Sequence, residues 1–218
     1  MKDNGLLVQY FNANTPADQT LWAKAVKDAA TLKKLGATAV WFPPATKGAA
    51  GKDDRGYAPY DLYDLGEFNQ KGSVGTRYGT KKEYLEAIDA MKAQGINVYA
   101  DIAVRQKLGA DSVEKVTAAD FNAKDIPQMI GNKKIVGALS KFTFPGRKSK
   151  YSKFKWNWNH FAGIDWQQDD FKRRVCELSG MTEMEAEKKY KLSKYDYIIG
   201  SELDLYNQEV YDELMAWA

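Results

Sequence analysis

Short apolar runs alternate with amphipathic stretches through the first half of the chain. Leu6-Leu7-Val8-Gln9-Tyr10-Phe11 has β character. Residues 20–35 place Leu21, Ala25, Val26, Ala29 and Leu32 at helical spacing, and Gly36 follows where a left-handed cap is needed. Thr38-Ala39-Val40-Trp41-Phe42 predicts a second strand, ended by Pro43-Pro44. After a long loop, Thr80 and Glu83 form a capping-box pair at the start of a helix striped with Tyr84, Leu85, Ile88 and Met91. Gly95 closes that helix, and Ile96-Asn97-Val98-Tyr99-Ala100-Asp101-Ile102 predicts a third strand.

Strand, helix, strand, helix, strand with near-continuous apolar strands implies a parallel sheet covered by helices. A doubly wound open sheet and a (β/α)8 barrel both fit that order. The first strand-to-helix turn, residues 12–19, holds no glycine, so a dinucleotide fingerprint fails there. The fold class expected is therefore α/β, an incomplete (β/α)8 TIM-type barrel contributing its first three strands. The pattern breaks at about residue 104. The following stretch is rich in Trp, Tyr, Phe, Asn and Lys and shows helical periodicity only over 181–191. It reads as a mostly β or irregular domain inserted after the third strand. Val210, Leu214 and Trp217 then fall at helical spacing behind Asn207 as cap. The expected division is 1–103 as barrel, 104–207 as insertion, and 208–218 as the barrel's return helix. Three strands cannot close a ring, so open edges prone to pairing are also expected.

Composition narrows the function. Lys and Arg total 32 against 29 Asp and Glu, a net charge of +3, which leaves no electrostatic footprint for nucleic acid. Aromatic residues make up 13%, with 6 Trp and 13 Tyr, enough to raise sugar stacking beside ordinary core packing. Cys176 is the one cysteine, so no intrachain disulfide forms, and a His-activated nucleophile would have to use His160, the one histidine. The N-terminus resembles neither a secretory signal nor a membrane span, which points to a cytoplasmic protein with no membrane partner.

In a (β/α) barrel the working residues lie at the C-terminal strand ends and the loops beyond. Residues 56–68, Gly-Tyr-Ala-Pro-Tyr-Asp-Leu-Tyr-Asp-Leu-Gly-Glu-Phe, crowd aromatics and acids after the second strand. The alternative reading there is a packed loop with solvated acids. Asp101 ends the third strand. Asp196, Glu202 and Asp204 offer oxygen ligands for calcium, though their spacing matches no EF-hand.

Val8-Gln9-Tyr10-Phe11, Val40-Trp41-Phe42-Pro43-Pro44-Ala45, residues 56–68 and 95–101, Phe144-Pro145-Gly146-Arg147, residues 154–161 and Tyr195-Asp196-Tyr197 resemble the bacterial liquefying α-amylases of glycoside hydrolase family 13. The resemblance implies retaining cleavage of internal α-1,4 bonds in starch and related glucans. It implies Tyr57 as a stacking platform and Asp101 as the strand-three carboxylate. It also puts Asp196 and Asp204 in a calcium-binding region.

The chain departs from that pattern in several places. Retaining glycosidases need a nucleophile and an acid/base carboxylate about 5–5.5 Å apart. In the family these lie on strands beyond the third, so no catalytic residue carries over and the chain is expected to be inactive alone. Where the family has an Asn-His pair after the strand-three Asp, this chain has Arg105 and Gln106. Arginine offers only donors and cannot ligate calcium, whereas Gln106 can still hydrogen-bond a sugar hydroxyl. Ala162, Glu202 and Tyr206 stand where the family has metal-binding Asp residues. Poor or absent calcium binding is expected, any ion resting on Asp196, Glu202 and Asp204. The expected substrate-binding set is Tyr57, Asp101 and Gln106, with an α-glucan or maltooligosaccharide as partner and a second chain as a source of the remaining strands. The competing readings are a non-catalytic glucan-binding or scaffold module and one half of a split amylase.

Overall fold

The computed structural model describes residues 4–122, 128–169, 172–178 and 199–218. It separates into two compact units, Met1–Ala103 and Val104–Ala218.

The first unit is built from β1 (Leu7–Gln9), α1 (Leu21–Lys34), β2 (Ala39–Phe42), β3 (Lys47–Gly48), β4 (Pro59–Asp61), α2 (Lys81–Ala93) and β5 (Asn97–Ala100). Its main sheet has the order β1-β2-β5, parallel throughout. Each crossover steps the same way along the sheet. Right-handed crossovers that never reverse put both helices on one face, the winding of a barrel rather than of a doubly wound sheet. The register lines up Val8, Val40 and Val98 on the helix-facing side. Leu7, Ala39 and Asn97, and again Gln9, Trp41 and Tyr99, share the other side, where Leu7 and Tyr99 are more than half exposed.

The helices form where the apolar spacing predicts them, but with different contact residues. On α1 the buried residues are Trp22, Ala25 and Ala29, while Val26 is exposed. On α2 they are Tyr84, Ala87 and Met91, and Leu85 points outward. Trp22 is the hub, its ring centroid 4.8 Å from that of Tyr84, 5.2 Å from Phe42 and 5.6 Å from Tyr78. The Thr80–Glu83 capping box is present, and Gly36 and Gly95 adopt positive φ as expected.

The second unit holds β6 (Gln106–Lys107), β7 (Ser112–Asn122), β8 (Gln128–Lys141), β9 (Phe161–Gln167), β10 (Lys172–Glu177), β11 (Ser201–Leu203) and α3 (Gln208–Trp217). Its strands form one antiparallel sheet of order β6-β11-β9-β10-β7-β8. This stretch is thus more regular than its sequence suggests. Val116 and Ala118 are buried on β7 between outward-facing Lys115 and Thr117, a period-two pattern interrupted by charge. The helix α3 groups with this second unit rather than with the first. Asn207 caps it as expected by accepting the Glu209 amide. The helix predicted over 181–191 lies outside the described residues, as does Asp196. No helix among the described residues is long and apolar enough to cross a membrane.

Candidate functional site

The loop between β3 and β4 carries Tyr57, and local backbone geometry dictates its course. Gly56 has φ +91, and a Cβ there would lie 2.6 Å from the Pro44 Cβ and 2.7 Å from the Pro44 carbonyl. The Gly56 amide donates to Asp54 Oδ1 at 2.7 Å, and the same carboxylate accepts the Ala50 amide through Oδ2 at 3.2 Å. A side chain at Gly48 would collide with Asp54, at 2.1 Å from its Cγ. Two glycines therefore let Asp54 fold its own loop inward.

Below this turn lies a sealed polar cluster. Lys47, paired in register with Asp61, is fully buried and donates to the carbonyls of Ser73 and Val74 at 2.7 Å and of Phe68 at 3.2 Å. Its ammonium also lies 3.6 Å from Asp64 Oδ2. Asp64 Oδ1 accepts the amides of Gly66, Glu67 and Phe68, and Gln70 Nε2 bridges Asp61 and Asp64 at 3.0 Å each. Burial pushes the Lys47 ammonium below its ordinary value, while Asp64 opposes the shift. Asp61 and Asp64 are thus structural acids with no solvent exposure, which corrects the reading of this loop's acids as solvated.

Above the cluster the Tyr57 hydroxyl donates to Asp101 Oδ2 at 2.6 Å. The Asp101 amide donates to the Phe42 carbonyl at 3.0 Å, so the parallel β2–β5 register sets Asp101 at the C-terminal end of the sheet. Tyr57 remains 43% exposed while its hydroxyl is held. Two of the three residues expected to bind substrate thus meet directly. The third, Gln106, belongs to the second unit, on β6 opposite Glu202. Tyr78 is buried near Tyr57 and donates to the Arg55 carbonyl at 3.0 Å.

Burial raises the hydroxyl pKa of Tyr57, with the Asp101 carboxylate adding to the shift, and pushes Tyr78 up to about 12. Burial likewise raises Tyr10, where Asp28 reinforces it, and Tyr84. A folded-state pKa above the ordinary 10.0 gives stability that is complete below that pH and lost as pH climbs through the folded value. Melting temperature is therefore expected to hold up to pH of about 10 and then fall steeply toward about 12. The tyrosinate absorbance of these four residues should appear together with unfolding. Ionisation of these tyrosines near pH 10 in an intact fold would contradict the assignment.

Of the residues expected to hold calcium, Glu202 and Asp204 lie among the described residues of the second unit. Arg105 Nε donates to Glu202 Oε1 at 2.6 Å, and its Nη2 contacts the same oxygen. Asp204 Oδ1 accepts the Tyr206 amide at 3.1 Å. Among the described residues no group of three acids or histidines converges on a metal-sized site. His160 is buried, its Nδ1 accepting the Asn157 amide and its Nε2 facing Glu209 Oε2, both at 3.0 Å. With both ring nitrogens engaged, it staples its turn to α3. Sequence spacing gave no sign of the Arg105–Glu202 pair, whose members are 97 residues apart.

No family model matches the chain. Among solved structures, it is similar to a truncated alternansucrase from Leuconostoc mesenteroides, with a TM-score of 0.51 and 23% identity over 67% of this chain and 14% of that one. That is a likeness of fold, which with the one-sided winding of the first unit makes it a partial TIM-barrel-type structure. An α-amylase of Geobacillus stearothermophilus is 46% identical across 98% of this chain and 39% of its own length. An α-amylase of Bacillus licheniformis is 42% identical across 98% of this chain and 41% of its own length. The chain is a relative of the bacterial α-amylases and spans about two-fifths of their length.

Proposed function

We propose that the chain is part of an α-amylase-type glycoside hydrolase acting on α-1,4-glucans such as starch. In that role it supplies one wall of the sugar-binding mouth and not the reacting carboxylates. The observation that carries this reading is the partly exposed Tyr57, its hydroxyl anchored at 2.6 Å on Asp101 beside the C-terminal ends of a parallel sheet. The axial C–H face of a glucose ring stacks on such a surface. A ring already locked by its hydroxyl loses little further freedom on binding. The identity with enzymes named α-amylases supports the choice of glucan. Gln106 is proposed as an amide contact to a sugar hydroxyl, and the second unit as the domain inserted after the third barrel strand.

The acids of the first unit support the non-catalytic half of the reading. Asp61 and Asp64 are close but sealed against Lys47 and Gln70, and Asp54 is committed to its own turn. Asp101 holds Tyr57. A retaining mechanism needs an accessible pair of carboxylates roughly 5–5.5 Å apart, whereas Asp61 and Asp64, the pair that Gln70 bridges, are sealed from water. The reacting acids in this reading come from outside residues 1–218.

Purified chain incubated with soluble starch is expected to release no reducing ends above the buffer control. Turnover would overturn the non-catalytic half. In amylopectin gels the chain is expected to migrate more slowly. Tyr57→Ala should weaken apparent affinity roughly tenfold, equivalent to about 1.4 kcal/mol. Tyr57→Phe keeps the ring and should lose less. Unretarded wild-type chain, or Tyr57→Ala behaving as wild type, would remove the glucan-binding half.

A further inference from the structure

We infer that Arg105 serves as a built-in cation for the Glu202 carboxylate and that this region of the fold therefore needs no calcium. The strand pairing forces the two together. Glu202 lies opposite Gln106 and Ser201 opposite Lys107, and the Leu203 amide donates to the Arg105 carbonyl at 2.8 Å. The Glu202 side chain is only 6% exposed. A carboxylate taken that far out of water must be met by a counter-charge or by several donors. Arg105 supplies both, with Nε at 2.6 Å from Oε1 and Nη2 on the same oxygen.

Calcium does not fit this arrangement. The ion takes about six to eight oxygen ligands at roughly 2.3–2.6 Å. Here Glu202 Oε1 already carries a guanidinium, whose fixed positive charge repels a divalent ion bound to the same carboxylate. The neighbouring Asp204 Oδ1 accepts the Tyr206 amide, closing its own turn. A guanidinium cannot lose its proton at any working pH, so the counter-charge is permanent and cannot be removed by chelators.

The pair is also asymmetric, and that asymmetry is testable. Arg105 is 39% exposed and can turn to water, whereas Glu202 cannot. Loss of the arginine therefore removes a counter-charge from a buried carboxylate, while loss of the glutamate charge leaves a cation that hydrates.

The test follows thermal melting of the full chain after EDTA treatment, with calcium added back to millimolar levels and its binding measured by equilibrium dialysis. Wild type is expected to melt at the same temperature with and without calcium and to retain none. Arg105→Ala should melt lower by on the order of 5 °C and recover part of that loss in calcium. Glu202→Gln should lose less than Arg105→Ala, and Arg105→Lys should stay calcium-insensitive. A calcium-dependent rise in the wild-type melting temperature overturns the inference, as does an Arg105→Ala chain that melts like wild type. If Arg105→Ala does not fold, Arg105→Lys decides the matter, since stabilisation of that chain by calcium would show that the fixed cation is not what satisfies Glu202. Neither readout depends on glucan hydrolysis.

Discussion

Replacing Lys47 by methionine is expected to destabilise the first unit by about 3–5 kcal/mol, lowering its melting temperature by on the order of 10 °C or more. Methionine keeps most of the aliphatic stem, so little of this is lost packing. The cost comes from what remains behind: the carbonyls of Phe68, Ser73 and Val74 and the buried Asp64 all lose the ammonium that satisfied them. Apolar replacement of a buried ion pair can be neutral when both partners go. Here three of the partners are backbone groups and cannot be replaced, so the desolvation penalty wins. Chemical denaturation of Lys47→Met, Asp64→Asn and the double variant measures the coupling. The double variant should cost clearly less than the two single changes added together. A Lys47→Met chain with wild-type stability would mean that the ammonium contributes no more than an apolar side chain does.

Trp22→Ala should be comparably damaging, at about 3–5 kcal/mol, because a fully buried indole leaves a cavity at the junction of both helices and the sheet. Its ring meets Phe42, Tyr78 and Tyr84, so the loss reaches β2, α2 and the loop between them at once. Trp22→Phe is expected to cost much less. It gives up volume but also removes the indole N–H, which is buried without a hydrogen-bond partner among the described residues. Denaturant midpoints for the two variants check the order. Equal losses would show that the size of the cavity does not set the cost at this position.

These two positions show where reading the sequence stops. Periodicity located α1 and α2 to within a residue or two, and the Thr80–Glu83 capping box was visible as a local pattern. It did not reveal that Trp22 sits at the centre of the core and Val26 outside it, since adjacent positions on a helix differ by only a fraction of a turn. Tyr57 and Asp101 were each legible as candidates from strand-end placement, but not the bond between them across 44 positions. In the loop around Tyr57 the carboxylates of Asp61 and Asp64 look identical to solvated acids until Lys47 and Gln70 are brought against them. The long strands β7 and β8 were hidden by polar residues such as Glu114, Lys115, Lys133 and Lys134, which break up the alternation of an antiparallel strand with one wet face.

By itself the sequence determined the parallel βαβαβ unit, its helix caps, the break near residue 104 and the kinship carried by the aromatic loop. All of these are written in residues close together along the chain, where spacing and propensity act directly. Tertiary structure alone decided which acids are sealed and which face water, that Asp101 holds Tyr57, and that Arg105 meets Glu202. Such outcomes depend on charges meeting across tens of residues in a medium whose polarity is set by the fold around them, and no local pattern encodes that medium.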